Sequence, residues 1–189
     1  QPYNIENYPK LTSYTGWYVI LKNKLYDSDY INLFEYDVNI LDSFYEYNNL
    51  DDKPNITGYI GIKVNNPNLF MVEKWAGILV RTIKEHYNID LLDSVKDYTN
   101  EEYCSVTSNH TFEKSTFERY MEWVDPLIPE ISKSPLSGHQ VERSIVAFYL
   151  LNKIQHKLNT HMITHLQLDS HKTQYANDKF SEMYNKLLK

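Results

Sequence analysis

The sequence predicts an α/β fold, a central mixed and mostly parallel sheet flanked by helices. Two observations carry this. Short apolar segments with strand character alternate along the chain with longer segments whose apolar residues recur at helical spacing. Asn, Asp and Pro clusters, such as Asn65-Asn66-Pro67 and Asp125-Pro126, punctuate the boundaries. A third observation, the length, makes the fold sustainable: 189 residues and 22.5 kDa suit a single domain across 1–189. A globule of that mass buries about 70% of its unfolded surface. The opening Gln1-Pro2-Tyr3 carries neither an initiator Met nor a signal-peptide pattern, so we expect a piece of a longer polypeptide, or one missing its first residues.

The elements follow in order. Leu11 to Lys24 reads as a helix with Thr12 or Ser13 as its cap and Tyr14, Trp17, Tyr18 and Leu21 on one face. Tyr30 to Ile40 reads as one strand, apolar at first and acidic toward its end. Asn48 to Asn55 is a polar loop, and Thr57 to Val64 a second strand. Leu69 to His86 is helical, Tyr103 to Thr107 a short third strand, and Phe112 to Val124 a helix stopped by Asp125-Pro126. Gly138 to Leu158 is the longest helix, and its all-apolar middle, Ile145 to Leu151, marks it as the most buried element. His161 to Leu168 reads as a last strand and Tyr175 to Leu188 as a terminal helix.

Composition excludes several classes. The apolar run Ile145 to Leu151 is far short of the roughly 20 residues of a membrane span. One cysteine, Cys104, excludes a disulfide framework and a Cys-based zinc module. A net charge of −6 makes nucleic acid a poor partner. The 17 tyrosines fit either an AT-rich genome or a carbohydrate-handling surface, because Tyr stacks on sugar faces and hydrogen-bonds through its hydroxyl. The sequons at Asn55 and Asn109 read as chance in a chain without a secretion signal.

Ligands of α/β sheets bind at the carboxyl ends of the strands, which directs attention to Glu35-Tyr36-Asp37. Alternation puts both acids on one side, about 6.5–7 Å apart. Two such carboxylates suit a hard divalent cation that bridges a diphosphate and neutralises a leaving nucleotide; they also suit plain solvated strand-end charges. The preceding helix must run antiparallel to the strand, so Thr12, Ser13 and Thr15 fall at the same end, with helix N-terminal amides for phosphate or as ordinary caps. His139 and Glu142 lie in the first turns of the long buried helix. A partly desolvated Glu142 has the character of a general base, and the helix dipole alone also accounts for a carboxylate there. Asp51 and Asp52 read as loop charges. His161 and His165 have the spacing of a helical zinc pair without the Glu of metalloprotease chemistry.

The stretch LTSYTGWYVILKNKLYDSDYINLFEYDVNI resembles the helix–turn–strand that delivers the acidic DxD-type motif in GT-A fold glycosyltransferases, above all those building bacterial capsular polysaccharide and large-virus surface glycans. SNHTFEKSTFERYMEWVDPLIPEI and SGHQVERSIVAFYLLNKI resemble the sugar-binding half of the same group. Together these cover about half the chain. The resemblance implies a metal-dependent transfer from a nucleotide-diphosphate sugar, with uridine as the base, to a glycan or glycoprotein acceptor in the cytoplasm (of the host, for a viral protein). It implies Mn²⁺ or Mg²⁺ on Asp37 aided by Glu35, with His171 as a further ligand, and Asn109 and His110 reading the donor sugar. Two departures stand out: the first acid is Glu rather than Asp, and the family's first strand is missing or barely represented. A non-catalytic carbohydrate-binding or interaction module is the alternative from another class.

Overall fold

The computed structural model describes residues 11, 13–35, 38–48, 53–63, 73–95, 103–105 and 107–165. In chain order these form α1 (Ser13–Lys22), β1 (Tyr30–Leu33), β2 (Val38–Ile40), α2 (Asp42–Asn48), β3 (Ile56–Gly58), β4 (Gly61–Lys63), α3 (Glu73–Tyr87) and α4 (Leu91–Val95). There follow β5 (Tyr103–Ser105), β6 (His110–Glu113), α5 (Lys114–Val124), a 3₁₀ turn (Asp125–Leu127), α6 (Ile128–Ile131), α7 (Ser137–Leu151), β7 (His156–Leu158) and β8 (Ile163–His165).

The principal sheet has the order β1-β6-β3-β7. β6 is antiparallel to both β1 and β3, and β7 is parallel to β3. Three of its four strands therefore point the same way and β6 alone is reversed. The sheet is mixed. Two antiparallel ribbons, β2-β8 and β4-β5, complete the described strands.

Register explains the layering. Ile31, Phe112 and Ile56 stand opposite one another, as do Asn32, Thr111 and Thr57 one residue along. Alternation sends the first row to one face and the second to the other. The apolar row meets the helices, where Tyr14, Trp17, Leu79, Ile83, Phe117, Tyr120, Ile145 and Phe148 close the large core. Trp17 meets Tyr120 edge-on, and Tyr120 stacks on Phe112. The buried Tyr120 hydroxyl is satisfied by Ser144 at 2.8 Å. The Thr row faces a smaller cluster, Phe44, Tyr59 and Ile163 with Phe34, Val38 and Ile40. There the Tyr59 hydroxyl reaches Thr111 at 2.6 Å and the Tyr47 hydroxyl reaches Thr57 at 3.1 Å. Most of the aromatic excess that the structure describes thus goes inward, and Tyr45 is an exposed exception.

Several boundaries differ from the sequence reading, each for a local reason. Tyr30 to Ile40 is two strands in different sheets, because Glu35 turns its backbone N–H to the Asn109 side chain and β2 leaves to pair with β8. Thr57 to Val64 likewise divides at Tyr59–Ile60, where β4 departs to pair with β5. Phe112 and Glu113 finish a strand before α5 begins. The longest expected helix stops at Leu151: Lys153 takes a left-handed φ of 52° and the Ile154 N–H returns to the Tyr149 carbonyl at 2.9 Å, a Schellman-type stop. The residues beyond form β7. α1 ends the same way, with Lys24 at φ 50° and the Leu25 N–H on the Ile20 carbonyl at 3.0 Å. The last strand is Ile163–His165 within the expected His161 to Leu168, and the expected terminal helix lies outside the described residues. As expected, the middle of α7 is the most enclosed stretch, with Arg143 through Leu150 all buried.

Among the described residues no helix is long and apolar enough to cross a membrane.

Candidate functional site

β1, β3 and β7 all end on one side of the sheet, where β6 begins, because Leu33 and Gly58 both stand opposite His110. That side gathers a buried polar cluster. Asn109 is fully enclosed, with Thr107, Ser108, His110 and Thr111 buried around it. The Glu35 backbone N–H donates to Asn109 Oδ1 at 2.8 Å, and Asn109 Nδ2 donates back to Glu35 Oε2 at 2.8 Å. Asn109 Nδ2 also donates to Thr107 Oγ1 at 3.0 Å, the Asn109 N–H donates to the same oxygen at 3.3 Å, and the Tyr59 N–H donates to the Asn109 carbonyl at 3.3 Å. Every polar group of Asn109 is engaged. Glu35, the first of the two candidate acids, thus sits beside Asn109, 74 positions away in sequence.

His110 is different in character. It is fully enclosed and lies 5.7 Å from the Phe112 ring. Burial holds its pKa down to about 4, with the Ser108 backbone acting in the opposite direction, and neither ring nitrogen has a hydrogen-bond partner in good geometry. The imidazole is neutral at pH 7.

α1 begins on this side. Tyr14, at the start of α1, donates its hydroxyl to Asp125 Oδ1 at 2.8 Å, just past the end of α5, while Tyr26, beyond the end of α1, reaches Glu118 in α5. α1 therefore runs antiparallel to α5, and since α5 returns from the far end of β6, α1 starts toward the carboxyl ends of β1 and β3. Ser13 and Thr15 fall in that first turn. Its direction follows the antiparallel expectation. α7 precedes β7 through a short turn, with Tyr149 near its end stacked on His156, and its first turns carry two further candidate residues. There His139 Nδ1 lies 3.1 Å from Glu142 Oε2. The Glu142 side chain is 14% exposed and that of His139 46%. Arg143, buried next to Glu142, places Nη1 3.9 Å from the same carboxylate oxygen.

Asp37, Thr12, His171, Asp51 and Asp52 lie outside the described residues. Among the described residues no three His, Cys, Asp or Glu side chains cluster as a metal site. His161 is in a turn and His165 in a strand, in keeping with the strand reading of this stretch, so the spacing that would align them on one helix face does not arise. Both sequons are folded inward, since Asn55 donates to Glu113 at 2.6 Å and Thr57, Asn109 and Thr111 are buried. Sequence reasoning missed Thr107 and Arg143. The Thr-x-Asn spacing of Thr107 and Asn109 was the available signal for the first, because Thr side chains commonly hold the backbone two residues on. A lone Arg within an apolar helix was the signal for the second.

No protein-family profile matches the chain, and no curated protein sequence matches it. Among solved structures it is similar to the apo structure of the bifunctional glycosyltransferase WbbM, with a TM-score of 0.61 at 16% identity over 86% of this chain. The chain spans 38% of that protein's length. At this identity the likeness is one of architecture: the chain has a mixed α/β, glycosyltransferase-like fold.

Proposed function

We propose that the chain is the donor-binding part of a GT-A type glycosyltransferase that moves a sugar from a nucleotide-diphosphate donor, with uridine as its base, to a hydroxyl of a glycan or glycoprotein acceptor in the cytoplasm. The observation that supports this most is the hydrogen-bonded pair of half-buried Glu35 and enclosed Asn109 at the carboxyl end of the sheet, in a fold similar to that of a glycosyltransferase. Ligands of such sheets gather at that end.

The acids of Glu35-Tyr36-Asp37 are hard oxygen donors of the kind Mn²⁺ and Mg²⁺ prefer, and Glu35 is held in place by Asn109. Asp37, aided by Glu35 and by His171, would hold such an ion. Bound there, the ion supplies charge neutralisation for a departing diphosphate. The chain's own groups do the rest. Thr12, Ser13 and Thr15 offer hydroxyls and helix N-terminal amides to phosphate oxygens. Asn109 and His110, both enclosed, form the floor beneath the donor sugar. Glu142, oriented by His139, takes the proton of the acceptor hydroxyl as that oxygen attacks the anomeric carbon.

The test is Asp37→Asn. UDP release from a panel of UDP-sugars with Mn²⁺ present should vanish while the circular dichroism spectrum stays that of the parent. Near-normal release by the variant would remove Asp37 from the site.

A further inference from the structure

The inward side of α7 is polar in its first turns, where its later turns are apolar. Ser137, Gln140 and Ser144 are all enclosed there, with Val141 among them. At about 100° per residue, His139 and Glu142 fall on the opposite side of the helix, and both keep some exposure. Gln140 is the anchor that reaches another helix. Its Oε1 accepts the Leu79 N–H at 2.7 Å, a donor in the middle of α3. Its Nε2 donates at 2.7 Å to Ser134 Oγ, in the turn that leads into α7. Ser134 Oγ also accepts the Leu136 N–H at 3.1 Å. One turn on from Gln140, Ser144 Oγ meets the Tyr120 hydroxyl at 2.8 Å.

Directional bonds do what apolar packing does not. An apolar face rolls against its neighbours at little cost, whereas a buried amide bonded at both ends holds one rotation. Side-chain tips stand about 5–6 Å from a helix axis, so a roll of about 10° moves one by about 1 Å. A shift of that size at a reacting group is enough to slow the chemistry about 10²-fold. We propose that Gln140 is a positioning residue: it fixes the rotation of the first turns of α7 against α3, and so holds the Glu142 carboxylate, paired with His139, where the acceptor hydroxyl meets it. Gln140 itself faces the interior and touches no substrate. The proposal rests on the reading of Glu142 as the base and adds the residue that aims it.

Two substitutions at this one position separate aim from stability. Gln140→Leu keeps the bulk and removes both bonds. Gln140→Glu keeps the shape and both bonds: one oxygen still takes the Leu79 N–H, and the Ser134 hydroxyl, a donor as well as an acceptor, rotates to donate to the other. It also buries a charge, which costs stability. The Glu variant therefore has the better aim without the better stability.

Three quantities are read on the parent and both variants: the urea midpoint, the calorimetric affinity for UDP with Mn²⁺, and kcat for UDP release from the UDP-sugar that the parent turns over fastest. In Gln140→Leu we expect kcat to fall at least about tenfold with UDP affinity within about threefold of the parent. In Gln140→Glu we expect kcat within about threefold of the parent, although its midpoint is no higher than that of Gln140→Leu. A Leu variant that turns over like the parent overturns the proposal. So does a Glu variant as slow as the Leu variant, or UDP affinity that falls together with kcat. Should Gln140→Leu fail to fold, Ser134→Ala removes one of the two bonds without adding a charge; it too should lower kcat at unchanged UDP affinity, and parental kcat in it overturns the proposal. A parent that releases UDP from no UDP-sugar fails the glycosyltransferase reading and the proposal with it, a failure seen before any substitution is made.

Discussion

His110 makes the stability of this fold depend on pH in a way that one substitution should erase. Its imidazole is fully enclosed without a well-placed hydrogen-bond partner, and its pKa falls from 6.5 to about 4. Above pH 6.5 the ring is neutral in both folded and unfolded chains and contributes no pH dependence. Between pH 6.5 and about 4 the unfolded chain binds a proton that the folded chain does not. Each pH unit in that window then removes about 1.4 kcal/mol of stability. Lowering the pH from 7 to 5 should therefore cost about 2 kcal/mol through this group, and the loss should level off below pH 4. The assay is urea unfolding at half-unit intervals from pH 7.5 to 4.5, on the parent and on His110→Gln and His110→Phe. Carboxylates titrating in all three proteins cancel in the difference. Parent minus variant should fall steadily below pH 6.5, whatever the variant's absolute stability. Parallel profiles for parent and both variants would refute the reasoning, because they would mean that a proton reaches folded His110 as easily as it reaches the unfolded chain.

Other outcomes follow from named contacts. Glu142→Gln should lower turnover by about 10²–10⁴-fold if its carboxylate is the base, with UDP affinity little changed; a stability loss of about 0.3–1 kcal/mol with normal turnover would mark it as a helix-terminus charge instead. Tyr14→Phe removes a hydroxyl that donates to Asp125 and should cost about 1.5–3 kcal/mol, the range for a hydrogen bond to a charged group, measured as a shift in urea midpoint at constant slope. Lys153→Gly should be neutral or mildly stabilising, while Lys153→Val should cost more than about 1 kcal/mol, because a β-branched residue fits poorly at a left-handed φ.

What the sequence revealed is what local pattern can reveal. Helical spacing located Tyr14 and Trp17 inside α1, and the unbroken apolar run from Ile145 located the buried heart of α7. Stops were harder to read, because this glycine-poor chain ends helices on Lys24, Asn88 and Lys153 in left-handed conformations, positions usually marked by Gly. Without that mark, helical spacing ran on through Lys153 into β7. The strands were merged for a similar reason. Nothing in the composition of Leu33-Phe34-Glu35 says that pairing should cease there; it ceases because Asn109, far along the chain, claims the Glu35 N–H. The two residues were separately visible as candidates, but their partnership is a product of the β1–β6 register. Tyrosine content left two readings open, and of the described tyrosines Tyr14, Tyr59 and Tyr120 serve the interior and its hydrogen bonds.

The measurement that bears most directly on the central claim is the thermal midpoint of the chain in the presence of UDP, GDP or CMP, each with and without Mn²⁺. A nucleotide-sugar site built on the Glu35–Asp37 acids predicts that UDP raises the midpoint only when Mn²⁺ is present. Ligand at about 100 times its dissociation constant should add roughly 2.7 kcal/mol, a shift of several degrees for a protein of this size. A midpoint unmoved by any nucleotide with Mn²⁺, but raised by free sugars alone, would contradict the account and point to a glycan-binding module instead.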